Sequence, residues 1–218
     1  MHGPSLIALV FATAWLGLAQ PSRAQGTIAY HQPPSPIILR DEFFGQFYPL
    51  DLDGDGQVDL TFAYDFHFVG VRADNANRIL IVLSPPPNVG GPVAPLPAGF
   101  SIGPDSGGGS LAWAVRSPFD PFEVLIQCFN TGCGGAFAGQ QAYMGVEFQR
   151  ASGTHYGWVS LYVDWFAPVA VIDSWAWETR PGIPIFAGAV PEPSTWALLV
   201  GGGVLMVCLK RKRNERRG

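Results

Sequence analysis

Alternation of apolar and polar residues with a period of two most constrains this chain, because only an extended strand with one face in a core repeats on that spacing. Val58, Leu60, Phe62, Tyr64, Phe66 and Phe68 alternate with Asp59, Thr61, Ala63, Asp65 and His67. This run exceeds the usual strand length, so a bend or turn is expected within it. Ala142, Met144, Val146 and Phe148 alternate with Tyr143, Gly145, Glu147 and Gln149, and Val159, Leu161, Val163 and Trp165 continue the theme after Gly153. Further β-rich runs cover residues 79–83, 111–116, 122–128 and 169–177. No helical spacing with caps lies between them. Short strands broken by Gly and Pro turns predict an all-β fold, an antiparallel, jelly-roll-like β-sandwich over residues 25–189.

Two segments punctuate that pattern. Residues 84–99 hold Pro85, Pro86, Pro87, Pro92, Pro95 and Pro97, and proline donates nothing to a sheet ladder, so an extended surface loop is expected. Residues 103–110 form a Gly-rich loop without a following helix or Lys, a poor phosphate cradle.

The ends have a different character. Residues 1–24 carry an apolar run at 6–18 and finish in Ser22-Arg23-Ala24, the pattern of a secretory signal peptide with its helix removed on export. Residues 190–218 fall into a Pro-Glu-Pro-Ser-Thr hinge, an uncharged apolar run at 196–209, and a basic end with Lys210, Arg211, Lys212, Arg213, Arg216 and Arg217. As a helix the run would cover about 21 Å against a hydrocarbon core of about 30 Å, a short single transmembrane helix. Trp196 suits an interfacial anchor, and the basic cluster keeps its end cytoplasmic. Gly201, Gly202 and Gly203 weaken the span.

This tail resembles the PEP-CTERM sorting signal of Gram-negative exosortase substrates, matching at Pro191, Glu192 and Pro193, in the short apolar helix and in the basic cluster. The resemblance implies inner-membrane insertion, recognition by an exosortase near Pro191–Pro193, removal of the tail, and delivery to the cell surface or exopolysaccharide matrix. Residues 154–159 and 175–188 also resemble segments recurring in exported proteins of that kind, which implies a related surface domain and no catalytic residue.

Charge agrees with export. The chain has 13 basic and 17 acidic residues, but within residues 25–189 the basic residues are Arg only, and acids outnumber them by more than two to one. Such a surface argues against nucleic acid as a partner and suits divalent cations. Cys128 and Cys133 flank Phe129, Asn130, Thr131 and Gly132, turn chemistry that lets them face each other across a hairpin. A disulfide is favoured over zinc because further Cys or His ligands are lacking nearby.

Asp51-Leu52-Asp53-Gly54-Asp55-Gly56-Gln57-Val58-Asp59 spaces its carboxylates so that Asp51, Asp53, Asp55 and Asp59, with the Gln57 carbonyl, can surround one hard cation such as Ca2+. Phe62 stands where an EF-hand needs its bidentate Glu. The loop is instead similar to the strand-flanked calcium loops of FG-GAP or VCBS repeats, in one short copy. The competing reading is an ion-free Asp-Gly turn.

Candidate chemistry is sparse. His155 lies beside Tyr156 and Trp158, with Tyr162 further along, an aromatic supply that suits sugar stacking and equally suits a core. Trp165 is expected in the core, and Trp158 and Tyr162 on the opposite face. Glu147, Asp164, Asp173 and Glu178 are the carboxylates available to a glycoside hydrolase, and no nucleophile elbow is present. The leading expectation is a non-enzymatic, calcium-stabilised surface or matrix protein. The alternatives are a carbohydrate-binding module for exopolysaccharide using His155, Tyr156, Trp158 and Tyr162, and an exported glycoside hydrolase.

Overall fold

A computed structural model describes residues 27–40, 45–83, 91–114 and 122–191. The expected signal peptide at residues 1–24, Glu192, Pro193, the apolar run and the basic end lie outside the described residues. No helix among the described residues is long and apolar enough to cross a membrane.

The described residues are all-β, with a single 3-10 turn at Pro104–Ser106 and every strand pairing antiparallel. In chain order the strands are β1 (Ile28–His31), β2 (Ile37–Leu39), β3 (Gln46–Leu50), β4 (Leu60–Tyr64), β5 (Phe68–Ala73), β6 (Arg78–Val82) and β7 (Ser101–Ile102). They continue as β8 (Leu111–Trp113), β9 (Glu123–Phe129), β10 (Gly132–Gly134), β11 (Gln140–Arg150), β12 (Gly153–Val163), β13 (Ala170–Glu178) and β14 (Ile185–Phe186). A seven-stranded sheet runs β1-β13-β12-β11-β6-β8, with β2 also on β13. A five-stranded sheet runs β10-β9-β5-β4-β3, and β14 pairs with β7.

One hydrophobic cluster draws on both large sheets. Leu50, Phe62, Val69, Val71, Leu125 and Ile126 from the five-stranded sheet join Met144, Val146, Phe148, Val159, Leu161, Trp175 and Trp177 from the seven-stranded one. Of the alternating residues predicted to face a core, Leu60, Phe62, Ala142, Met144, Val146, Phe148, Val159, Leu161 and Val163 are buried, whereas Val58, which precedes β4, is exposed. The long run 58–68 is interrupted as expected: Asp65, Phe66 and His67 form the turn between β4 and β5, where the His67 N–H donates to Asp65 Oδ1 (2.7 Å) and Phe66 is exposed. His67 therefore belongs to a turn, not to the polar face of a strand. In β13 the pairing with β12 shifts between Ser160 and Leu161, leaving Asp173 as the extra residue. That bulge changes the parity, so Ile172 and Trp175 both reach the same core.

The seven-stranded sheet is buried on its other face too, which a one-faced alternation does not predict. Leu80, Tyr156, Trp158 and Ala176 meet Ala94, Leu96, Ile102, Ile185 and Ala187 in a second cluster. Part of that cover comes from the proline-rich segment, which corrects its reading as a surface loop: Ala94 and Leu96 are buried in this second cluster, and Val93 is buried in the first. The Val93 N–H donates to the Val124 carbonyl (3.0 Å), Ala94 to Leu80 (3.0 Å) and Leu96 to Tyr143 (2.8 Å). Pro92 and Pro95 alternate with residues that do donate, so the segment runs against the sheet without orphaned N–H groups. The remainder, residues 84–90, lies outside the described residues.

Pro49 sits in β3, at the edge of its sheet, where a missing donor is tolerated. Cys128 and Cys133 are direct partners across the β9–β10 hairpin, at disulfide distance, as anticipated.

If the second cluster is a packed layer, Trp158→Ala lowers unfolding free energy by about 3–5 kcal/mol in denaturant titration. A loss under about 1 kcal/mol would mean that this face is poorly covered.

Candidate functional site

The acidic loop is the connection between β3 and β4, so both of its ends are set by an antiparallel pair. Gly54 and Gly56 take φ of +74° and +88°, values open to glycine without strain, and they fold the loop back on itself. Asp51 accepts the Gly54 N–H at Oδ1 (2.7 Å) and the Gly56 N–H at Oδ2 (2.8 Å). Asp53 Oδ1 accepts the Asp55 N–H (3.0 Å), and its Oδ2 pairs with Arg150 at the end of β11. Asp59 is buried: its Oδ2 accepts the Leu52 N–H (2.8 Å) and its Oδ1 the Asn77 side-chain amide (3.0 Å). The Trp175 indole N–H donates to the Leu52 carbonyl (3.1 Å), a second tie from the loop to the larger sheet.

Asp51, Asp53 and Asp59 each offer an oxygen, and these oxygens lie within 4.8 Å of one another. Of the five expected ligand residues, these three come together. Asp55 lies apart from the trio, exposed, and its carboxylate accepts the Gln57 N–H (2.8 Å); Gln57 is exposed as well. The trio fits a hard cation chemically, since each carboxylate keeps lone pairs beyond those used by the loop N–H groups. Burial pushes the Asp59 carboxyl up to about 6, with the Leu52 N–H working against the rise and the charges on Asp53 and Asp51 adding to it. Burial likewise raises Asp53, opposed by the Asp55 N–H and by Arg150. Asn77 and Arg150 escape a reading of spacing within the loop, because both are brought in by long-range pairing.

The proposed glycan residues do not form an exposed platform. His155, Tyr156 and Trp158 are buried, and only Tyr162 among the four is exposed. The cause is the covering of both faces of β12. His155 Nδ1 lies 2.8 Å from the Glu178 carbonyl, which only accepts, so Nδ1 donates to it, and Nε2 is hydrogen-bonded to the Ser152 hydroxyl (2.7 Å). Its ring packs against Phe148 and Trp177. The Trp158 indole donates to the Ala189 carbonyl (3.2 Å). Trp165 reverses its expectation: β12 ends at Val163, and Trp165 is 55 % exposed beside Phe166 at 86 %.

The four candidate carboxylates are separately engaged. Glu147 is buried against Arg78, its Oε1 accepting the Arg78 Nε–H (2.7 Å). Burial raises the Tyr156 phenol, and the neighbouring Glu147 charge adds to the rise. Glu178 receives Arg180 and the Thr27 hydroxyl (2.9 Å). Burial alone would raise the Glu178 carboxyl, but those hydrogen bonds outweigh it and hold the group below the usual range. Asp164 Oδ1 accepts the Phe166 and Ala167 N–H groups (2.7 and 3.1 Å) after β12, and Asp173 accepts from Gln141 (2.8 Å).

No protein-family model, curated protein or solved structure matches the chain significantly.

A carboxyl whose value is higher folded than unfolded takes up a proton on folding, so its contribution is lost as pH rises. The metal-free protein is therefore expected to lose stability between about pH 4 and pH 6 through Asp59, as read by denaturation midpoints across that range. Asp59→Asn should remove that part of the slope, and an unchanged slope would assign it elsewhere.

Proposed function

We propose that this is an exported protein delivered to the cell surface or exopolysaccharide matrix by an exosortase acting on residues 190–218, after insertion in the inner membrane. Its jelly-roll-like β-sandwich serves a structural, non-enzymatic role, with Ca2+ held in the loop 51–59. The observation that carries the sorting part is the order of the C-terminal pieces: Pro191-Glu192-Pro193, a short glycine-broken apolar run, then six basic residues. Pairing of Cys128 with Cys133 supports an oxidising compartment. A structural role is supported by the use already made of Glu147 and Glu178 in ion pairs, of Asp164 in turn hydrogen bonds and of Asp173 in a side-chain hydrogen bond from Gln141. Calcium is supported by the convergence of Asp51, Asp53 and Asp59.

A second reading, a module for exopolysaccharide, is favoured by one observation. Tyr162, Trp165 and Phe166 are exposed where β12 ends, and Trp165 packs on Gly139, where a Cβ would come within 2.7 Å of its ring. This is a different aromatic group from the one around His155. Glycan-array binding lost in Trp165→Ala would promote that reading, and a blank array would count against it.

The sorting proposal is tested by intact mass and fractionation of the exported protein, with Pro191-Glu192-Pro193 intact and replaced. Loss of the basic tail from the natural sequence alone is expected. A tail that persists in the inner membrane in both forms would sink the proposal. For the cation, calcium at about 100 times its dissociation constant should stabilise the domain by about 2.7 kcal/mol. The gain should vanish in Asp53→Asn/Asp59→Asn, and absence of calorimetric uptake at millimolar calcium by the folded protein counts against the site.

A further inference from the structure

The cover over the outer face of the seven-stranded sheet stops part-way along it. Its last piece is the strap that follows β14: Gly188, at φ of +80°, passes Tyr143 so closely that a Cβ would lie 2.7 Å from its hydroxyl, and the Ala189 carbonyl accepts the Trp158 indole N–H (3.2 Å). Register carries the same face onward. Tyr143 stands opposite Ser160 and Ser160 opposite Ser174. In the next row Gln141, Tyr162, Val171 and Ile38 lie side by side on β11, β12, β13 and β2. Side chains two apart on a strand share a face, and the extra residue at Asp173 keeps Val171 in phase, so this strip continues the face of Trp158 and Ala176. Its outer row is open, with Gln141, Tyr162 and Ile38 all exposed.

The polar groups of this strip are held in place. Gln141 Nε2 donates to the Ser160 hydroxyl (2.9 Å) and to Asp173 Oδ2 (2.8 Å), so one side chain ties three strands together across the face. Gln141 Oε1 and Asp173 Oδ1 receive no hydrogen bond among the described residues, which leaves both as fixed acceptors. Ser174 is 8 % exposed, yet its hydroxyl makes no hydrogen bond among the described residues, and its oxygen stays reachable from outside. A nearly buried hydroxyl without a partner is costly, and a ligand group on this face would supply one. Exposed rings bound the network at both ends. Tyr162 is 37 % exposed, and Tyr30, at 38 %, lies in the row of Ala176 and Trp158, its ring 6.1 Å from the Trp158 ring. The two rows are about 13 Å apart along β12.

Fixed, flat hydrogen-bonding side chains between two exposed rings match the chemistry of a sugar chain, whose ring faces carry C–H groups that stack on aromatics and whose edges carry hydroxyls that both donate and accept. Addition of a peptide strand is not available here, because the strip lies inside the sheet, where the ladder uses the backbone groups. Charge narrows the class. Asp173 has no ion pair among the described residues, and neither row of the strip holds Lys or Arg. A uronate or sulfate would meet an unneutralised carboxylate. We infer that this strip, centred on Gln141, Ser160, Asp173 and Ser174 and bounded by Tyr30 and Tyr162, binds a neutral oligosaccharide chain and discriminates against acidic ones. The inference rests on the exopolysaccharide-module reading for the ligand being a glycan, while its place and charge preference come from the sheet. The ligand then lies on the face of the sheet, whereas Trp165 and Phe166 lie past the end of β12.

The test applies the full chain, in a detergent without a sugar headgroup, to an array of neutral hexose and N-acetylhexosamine chains beside uronate and sulfated chains. Titration calorimetry follows on the chains that bind. Binding to neutral chains alone is expected. Ser174→Ala removes a hydroxyl that bonds to nothing in the domain, so the denaturation midpoint should hold while affinity falls about threefold or more. Gln141→Ala and Tyr162→Ala should each weaken binding about tenfold. Asp173→Asn keeps the shape and removes the charge, so it should admit uronate chains, and continued exclusion would overturn the role given to that charge. A preference of the natural sequence for acidic chains overturns the inference. So does binding that ignores both Ser174→Ala and Gln141→Ala; if Trp165→Ala abolishes that binding, the module reading stands at its own aromatic group and only the strip is lost. A blank array removes both.

Discussion

Everything in the described molecule follows from a central antiparallel meander, β11-β12-β13, that is apolar on both faces. A sheet with one wet face needs a single partner, and this one needs two. The five-stranded sheet covers one side. The other is covered by pieces that are not a sheet in any ordinary sense: Ala94 and Leu96 of the proline-rich segment, the short β7–β14 pair, and the strap of residues 187–189 that follows β14. Because Tyr156, Trp158 and Ala176 are large or tightly placed on that side, the cover is held by specific contacts. The indole of Trp158 reaches across to a main-chain carbonyl, and Gly188 lets the strap pass Tyr143. On the opposite side, the extra residue at Asp173 turns both Trp175 and Ile172 into the core shared with the five-stranded sheet.

The sequence made some of this legible and hid the rest for physical reasons. Strands β4, β11, β12 and β13 carry clean alternation or long apolar runs, and the cysteine spacing was enough to place a hairpin. Strands β1, β2, β7 and β14 are four residues or fewer and draw their order from neighbours, so no local pattern marks them. The proline-rich segment misled because composition counts prolines without recording which residues between them donate. Trp165 misled because the alternation was carried two residues past the end of β12. His155, Tyr156 and Trp158 were ambiguous from the start, since aromatic content alone does not say which face will be covered.

The acidic loop illustrates the same division. Spacing pointed to a cluster of carboxylates, and Asp51, Asp53 and Asp59 do converge. What spacing could not supply is the frame: Asn77 holding Asp59, Arg150 holding Asp53, and Trp175 holding the Leu52 carbonyl. Two of these three come from the larger sheet, so a loop that belongs to one sheet is steadied by the other. The three carboxylates are thereby kept close even though burial disfavours the charge on Asp53 and Asp59, a tension that a cation would relieve.

Pro49 has an implication for a protein that would live at high local density. An exposed strand edge is a template on which another copy of the same chain can add, and crowding makes that addition more frequent. Strand β3 is the outer edge of its sheet, only five residues long, and its fourth residue, Pro49, has no N–H to offer. The opposite edge, β10, is three residues long and cross-linked to its neighbour. Both flanks of that sheet are poor seeds for fibril growth, so copies crowded together at a surface, as the proposed role requires, would keep their individual folds.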